Sequence, residues 1–327
     1  MLRFRIASAA LAACTLMLTA VGCGQDPATE DPNDASAINQ EVKAVDAQAE
    51  TLRVNQAFAA ATSIPDTQQS VEASLALFTD DMQHIGVFGR VRGKDQLRAT
   101  LNQALAAPGR QVTITAHQGW AIDRNHLYSI THFDNSFLIP DGTRLTFHLR
   151  ALRAMVRQKD GSYLIASEHT SAGAPLPPPP SAPSATPAPL RNGVGPSPDA
   201  LTGLMLGWQA NFNARNLDAL VAGYTPDLRY VYAFEGEEGA GQAALRADVG
   251  GTWAASPDLQ VQLQQYDVVA LGDDAAMGLG SWVDTFTAPD GTVVAAQTQS
   301  SEIFIRTPMG WKVQAEEASF APPPPAP

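Results

Sequence analysis

Histidine is the one side chain whose ordinary pKa lies close to neutral pH. All six histidines of this chain, His84, His117, His126, His132, His148 and His169, fall between residues 84 and 169. Alternation along extended segments sorts them onto faces. His126, Tyr128, Ile130, His132 and Asp134 share one face. His148 and Arg150 share a face of the next segment, and Tyr163, Ile165, Ser167 and His169 a face of the last. If those faces line one cavity, His132, His148 and His169 converge with Asp134, and Tyr128, Arg150 and Tyr163 form its wall. A histidine oriented by a carboxylate is a general base suited to neutral pH. The plainer alternative is that these histidines sit on solvated strand faces or satisfy local hydrogen bonds. A three-histidine zinc site is conceivable. However, no tight ligand spacing such as H-E-x-x-H is present, so no metal and no cofactor is expected.

Beyond residue 169 the chain has no histidine. The chemistry-bearing set there is aromatic: Tyr230, Tyr232, Trp282, Phe304 and Trp311, with Glu316 or Glu317 at the mouth. Aromatic walls suit apolar or cationic ligands. Tyr232, Trp282, Trp311 and Glu317 join Tyr128, Arg150 and Tyr163 as the expected ligand-binding residues. The alternative is that the aromatics are core.

The elements that must position these residues read helices first and strands later. Gln40 to Thr62 is alanine-rich with Val42, Val45, Ala49 and Leu52 on one face. Ser63 and Pro65 break it, and Val71, Leu75 and Phe78 continue a second helix. A third, Lys94 to Leu105, places Leu97, Leu101 and Leu105 at i+4 spacing. Four long extended segments follow: Gln111 to Ile122, Asn125 to Ile139, Thr143 to Gln158 and Ser162 to Ser171. Short turn signals separate them, such as Pro140-Asp141-Gly142. Consecutive strands with short turns make an antiparallel sheet, and the helices ahead of it cover one face.

The pattern then repeats. Phe78-Thr79-Asp80-Asp81-Met82 parallels Tyr224-Thr225-Pro226-Asp227-Leu228, an offset of 146 (224 minus 78). Gln96-Leu97-Arg98, Pro140-Asp141-Gly142-Thr143 and Tyr163 to Ser171 recur in the same order as Ala244-Leu245-Arg246, Pro289-Asp290-Gly291-Thr292 and Trp311 to Ser319. Between the copies, Ala174 to Pro198 is proline-rich. As polyproline II at ~3.1 Å per residue it reaches roughly 75 Å, so it does not dictate how its flanks meet.

Phe78, Asp81, Gly93, Leu97, Arg98, Tyr163, Ile165, His169 and Ser171 in the first copy, with Tyr224, Asp227, Gly241, Leu245, Arg246, Trp311, Val313 and Ser319 in the second, form a motif series. It resembles the SnoaL-like branch of the nuclear-transport-factor-2-like superfamily. Glu317 stands where the series has a histidine. The resemblance implies an α+β fold: two tandem cone-shaped domains, each a curved antiparallel sheet wrapped over N-terminal helices. The superfamily includes isomerases, cyclases, dehydratases, binding modules and association domains. Its ketosteroid isomerase branch places a base aspartate where this chain has Gly86 and Tyr232, which disfavours that route. A histidine-based route like that of scytalone dehydratase stays open in the first copy.

The bulk numbers are consistent with two domains in 327 residues. Residues 36 to 175 hold thirteen Lys+Arg and thirteen Asp+Glu, whereas 196 to 320 hold five and sixteen, nearly all of the chain's net −12. So acidic a half argues against nucleic acid. Cysteine occurs only at Cys14 and Cys23, so no disulfide or catalytic thiol belongs to the folded part. Arg3 and Arg5 precede an apolar run, Ile6 to Val21, that reads as a signal h-region. Ala20-Val21-Gly22-Cys23 resembles a bacterial lipobox. Leu11-Ala12-Ala13-Cys14 matches better in four residues but leaves an h-region of only about 7 residues.

The organisation expected is therefore a signal peptide with lipobox over 1–23, lipidated on Cys23, and a flexible tether over 24–37. SnoaL-like domains over 38–173 and 198–320 follow, with a proline-rich linker over 174–197 and a proline-rich tail over 321–327. The protein should be exported and anchored by its lipid, at the outer membrane facing the periplasm. The expected role is to bind a small apolar ligand or a protein partner. The alternatives are an acid–base enzyme in the first copy, or an association module in which the copies form an intramolecular pseudo-dimer or the chain a homodimer.

Overall fold

The computed structural model describes residues 46–87, 89–172, 196–232 and 237–321, with the side chains of Tyr232 and Glu237 excepted. Cys14, Cys23, the start of the helix expected from Gln40, the tether and nearly all of the linker and tail lie outside the described residues. Those described form one compact body.

Two helices open the first half. In α1 (Ala47–Thr62) the Asp46 carboxylate accepts the Ala49 N–H at 3.0 Å, and in α2 (Thr67–Leu75) Asp66 accepts that of Gln69 at 2.7 Å. Both side chains satisfy donors that a helix start leaves orphaned. Then come β1 (Phe78–Gly86), β2 (Val91–Arg92), α3 (Gly93–Ala104), β3 (Gln111–Ala121), β4 (His126–Leu138), β5 (Arg144–Arg157) and β6 (Tyr163–Ala172). Phe78 opens a strand instead of closing the second helix. The Leu77 carbonyl accepts the Ile165 N–H at 2.8 Å, and this pairing draws the chain off the helix axis.

The second half repeats this element for element. It runs α4 (Pro198–Asn213), α5 (Leu217–Val221), β7 (Tyr224–Tyr232), β8 (Glu237–Ala240), α6 (Gly241–Ala255), β9 (Gln260–Ala270), β10 (Ala275–Thr287), β11 (Val293–Thr307) and β12 (Gly310–Phe320). The sheet orders are β2-β1-β6-β5-β4-β3 and β8-β7-β12-β11-β10-β9. Each is antiparallel except where its first strand runs parallel to its last, β1 with β6 and β7 with β12. The fold is thus α+β in two tandem copies, each sheet mixed.

Three apolar cores hold the body together. Under the first helices lie Val54, Val71, Leu75, Phe78, Leu97, Leu127 and Met155. Under the second lie Leu201, Met205, Phe212, Leu220, Leu245, Trp282 and Phe304. The third joins the two sheets: Ile85, Tyr128, Ile130 and Leu152 pack with Val231, Met277, Leu279 and Ile303. Each sheet is therefore covered by helices on one face and by the other sheet on its opposite face. Among the described residues no helix is long and apolar enough to cross a membrane.

Candidate functional site

Each strand offers one face to its own helices and one to the seam between the sheets. On β4, Leu127 and Phe133 turn to the helices, whereas Tyr128 and Ile130 enter the seam core. His132 and Asp134 share the parity of Tyr128, so they too belong to the seam face. On β6 the alternation is interrupted. Ser167 pairs with Ala154 but Ile165 with Met155, so Ala166 is an extra, bulged residue. Tyr163 and Ile165 then face the helices while His169 faces the seam. A bulge reverses which face later residues take.

His132, His148, His169 and Asp134 thus share the seam face, but the histidines meet different partners there instead of one another. His148 Nδ1 lies 2.5 Å from Asp134 Oδ1, cross-strand neighbours that are half-exposed. His132 lies 3.3 Å from Glu238 of the second half. His169 is wholly buried between two hydroxyls of the second sheet, 3.1 Å from Ser301 Oγ and 2.9 Å from Ser319 Oγ. Burial pushes its imidazole down to about 3. Glu317 is its counterpart on β12. It accepts the Leu152 N–H at 2.8 Å and the Ser171 hydroxyl at 2.5 Å, and burial pushes it up to about 7. His169 meets Ser319 while Glu317, in the equivalent place, meets Ser171. Such exchanged contacts are the signature of a two-fold arrangement.

The expected ligand-binding residues divide likewise. Tyr128 is core, its ring stacked on Trp120 at 5.0 Å. Tyr163 is core too, donating to the Arg124 carbonyl at 2.6 Å. Arg150 borders the first pocket while its charge faces Glu317 and Glu238 across the seam. Trp311 lies under the Arg306 guanidinium at 4.8 Å, beside a surface groove. The side chain of Tyr232 lies outside the described residues. Trp282 alone of the set reaches the second pocket. Gly86, where the isomerase branch would hold its base, has φ +142 and no room for a side chain: a Cβ there would meet the Thr170 carbonyl oxygen at 2.0 Å.

The pockets lie between each sheet and its helices. The first encloses about 80 Å³ and contains polar groups not singled out from sequence. Arg153 Nε donates to Glu168 Oε2 at 2.7 Å, and His84 Nδ1 lies 3.1 Å from Glu168 Oε1. The guanidinium also donates to the Asn55 side chain of α1. It is sandwiched 4.1 Å from the Phe58 ring centroid and 5.0 Å from that of Phe133. Burial works against the Glu168 carboxylate, but the Arg153 charge and the His84 bond outweigh it and hold the group down at about 2. Both oxygens of Glu168 are thus occupied within the protein.

The second pocket encloses about 110 Å³. Met205, Trp208, Phe212, Val261 and Trp282 wall it. Glu302 and Glu316, cross-strand partners, supply its acidic groups. The Tyr266 hydroxyl donates to Glu302 Oε2 at 2.5 Å, and that of Tyr224 to Glu316 Oε2 at 2.6 Å. Tyr266 reaches Glu302 by lying across Gly278, where any Cβ would meet its hydroxyl at 1.8 Å. Burial raises both carboxyls well above the ordinary range, and mutual repulsion raises Glu302 further. Asp284, in the same pocket, is pushed up to about 6 by burial despite the Thr298 hydroxyl that donates to it at 3.1 Å. Glu302 Oε1 is buried and makes no hydrogen bond of good geometry among the described residues, although the Ser300 side chain stands close enough to act on the group and lower its pKa. Of the two glutamates expected at the mouth, Glu316 belongs to the pocket and Glu317 to the seam.

The two pockets share one frame and differ in charge at its central pair. Arg153 faces Glu168 across β5 and β6, and Glu302 faces Glu316 at the corresponding places on β11 and β12. An ion pair in the first copy is replaced by an acid pair in the second. No group of three or more His, Cys, Asp or Glu suited to a metal ion occurs among the described residues.

Residues 206–303 match the family model described as a SnoaL-like domain. Solved structures similar to parts of the chain include a protein with a cystatin-like fold from Caulobacter vibrioides (14% identity, 38% of this chain and 89% of that one, TM-score 0.35). An NTF2-like protein with a cystatin-like fold from Novosphingobium aromaticivorans is another (21%, 37% and 80%, 0.34). A third is a ketosteroid isomerase-like protein from Erwinia carotovora atroseptica (18%, 38% and 97%, 0.34). No curated protein matches the chain.

Proposed function

Starting from a SnoaL-like domain over residues 206–303 whose frame the first half repeats, we propose that the chain is an exported envelope lipoprotein, held through Cys23, whose second pocket binds a small organic ligand. One observation carries this: a half-open, largely apolar pocket holds a buried carboxyl oxygen, Glu302 Oε1, that makes no hydrogen bond of good geometry among the described residues, with Ser300 standing near the group. Most buried polar atoms find a hydrogen-bond partner, and one left open inside a pocket is a place for a ligand donor. The first pocket lacks this opportunity at its carboxylate, because Arg153 and His84 occupy both oxygens of Glu168. A histidine-based dehydratase, isomerase or cyclase in the first copy loses the convergence it needs, since His132, His148 and His169 make separate contacts.

The test is native mass spectrometry of the full chain purified from its source. Retained small-molecule mass that disappears in Trp282→Ala supports the proposal. The same mass retained by the variant, or none in either, overturns it.

The association reading has its own support. The exchanged contacts His169–Ser319 and Glu317–Ser171, with an apolar core between the sheets, are what an intramolecular pseudo-dimer would use.

A further inference from the structure

The geometry points to a small organic cation, a protonated amine or guanidinium on an apolar body, as the ligand class of the second pocket, seated where the first copy places its own Arg153. This rests on the proposal that the pocket binds a small organic ligand, and it names the class.

The first copy supplies the precedent. Phe58 and Phe133 meet edge to face at 6.2 Å and 63°, and the Arg153 guanidinium lies against both rings with Glu168 as counter-ion. In the second copy Trp208 and Trp282 meet at 5.5 Å and 64°. Trp282 holds the place on β10 that Phe133 holds on β4, and Glu316 the place of Glu168. Indole is the better cation–π partner of the three aromatic types. Here the cage lacks its cation: the equivalent of Arg153 is Glu302, and no Lys or Arg lines the pocket among the described residues. Arg215 stacks instead on Phe212 and Trp253, and its guanidinium is bonded to the carbonyls of Pro257 and Leu259, both at 2.8 Å.

The groups around the glutamate pair are acidic or hydroxyl-bearing on the sheet side and uncharged on the helix side, with no basic group among the described residues there. Tyr266 on β9 and Tyr224 on β7 donate to the pair, β10 brings Asp284, and α6 brings the uncharged Val249 and Thr252. From α4 come only Met205, Trp208 and Phe212. Two buried carboxyls without a cation must hold protons to coexist. A bound ammonium would let one of them ionise, accept a donor on Glu302 Oε1, and be screened from water by the indoles.

Calorimetric titration of the full chain with benzylamine and with benzyl alcohol, its neutral counterpart of similar shape, tests this. Benzylamine should bind about tenfold or more tighter near pH 8. The advantage should shrink toward pH ~6, where the glutamate pair keeps its protons. Glu302→Gln should bring the two probes to within about twofold of each other, and Glu316→Gln repeats the test if the first variant misfolds. Glu302→Arg should fill the pocket from within and abolish benzylamine binding. Equal affinities for both probes at both pH values would overturn the cation inference and leave the pocket proposal standing. Binding of neither probe would overturn both.

Discussion

At the residue scale the two copies differ most where a strand position changes the sign of its charge. Arg153 is 1% exposed and Glu168 4%, so the pair is fully withdrawn from water. Removing one partner from such a pair strands the other charge. Arg153→Met should therefore cost about 3–5 kcal/mol, read from the urea midpoint, which is the range for breaking a buried pair. Glu317 gives a pH signature. Its folded value of about 7 lies above the ordinary 4.5, so folding favours the protonated form. The stability it contributes is complete below pH 4.5 and is lost as pH rises through about 7. Glu317→Gln should flatten that loss and recover roughly 3 kcal/mol near pH 8 in calorimetric unfolding. His169 works in the opposite sense. Its folded value of about 3 means that its contribution is present above 6.5 and is lost as pH falls toward 3.

At the element scale, glycine and a bulge decide what each strand can present. Gly278 leaves β10 bare so that Tyr266 of β9 can cross it to reach Glu302. Gly278→Ala should evict the tyrosine and destabilise the second copy by about 1–3 kcal/mol, measured by thermal unfolding. Helix and strand periods were legible in the chain because caps, turn pairs and the internal repeat all agree. The strands β3 to β6 begin and end within a few residues of the extended segments read from alternation. What alternation could not decide was which face of a strand meets the helices. Both faces of these sheets are buried, so hydrophobicity does not distinguish them. The Ala166 bulge then moves His169 to the face opposite Tyr163. Glu302 escaped notice because a lone glutamate within an apolar run carries no motif. Superposing the repeat on itself would have found it, since the same offset that aligns the turns aligns it with Arg153.

At the scale of the whole molecule, the copies share a seam whose apolar core neither could leave exposed. Expressed alone, residues 198–320 should self-associate or aggregate, seen by light scattering; a stable soluble monomer would count against the pseudo-dimer. Cys23→Ser should move the protein from the membrane to the soluble fraction, and retention with lipid labelling would assign the anchor to another residue. The exchanged contacts across the seam carry one more consequence. In a dimer of identical subunits every substitution arises twice, at both ends of the symmetry axis, so a change must be tolerable in duplicate. Joining the partners in one chain removes that restriction. The last strand can then carry His169 in one copy and Glu317 in the other, each answered by a serine across the axis, an asymmetric pairing that no homodimer could encode.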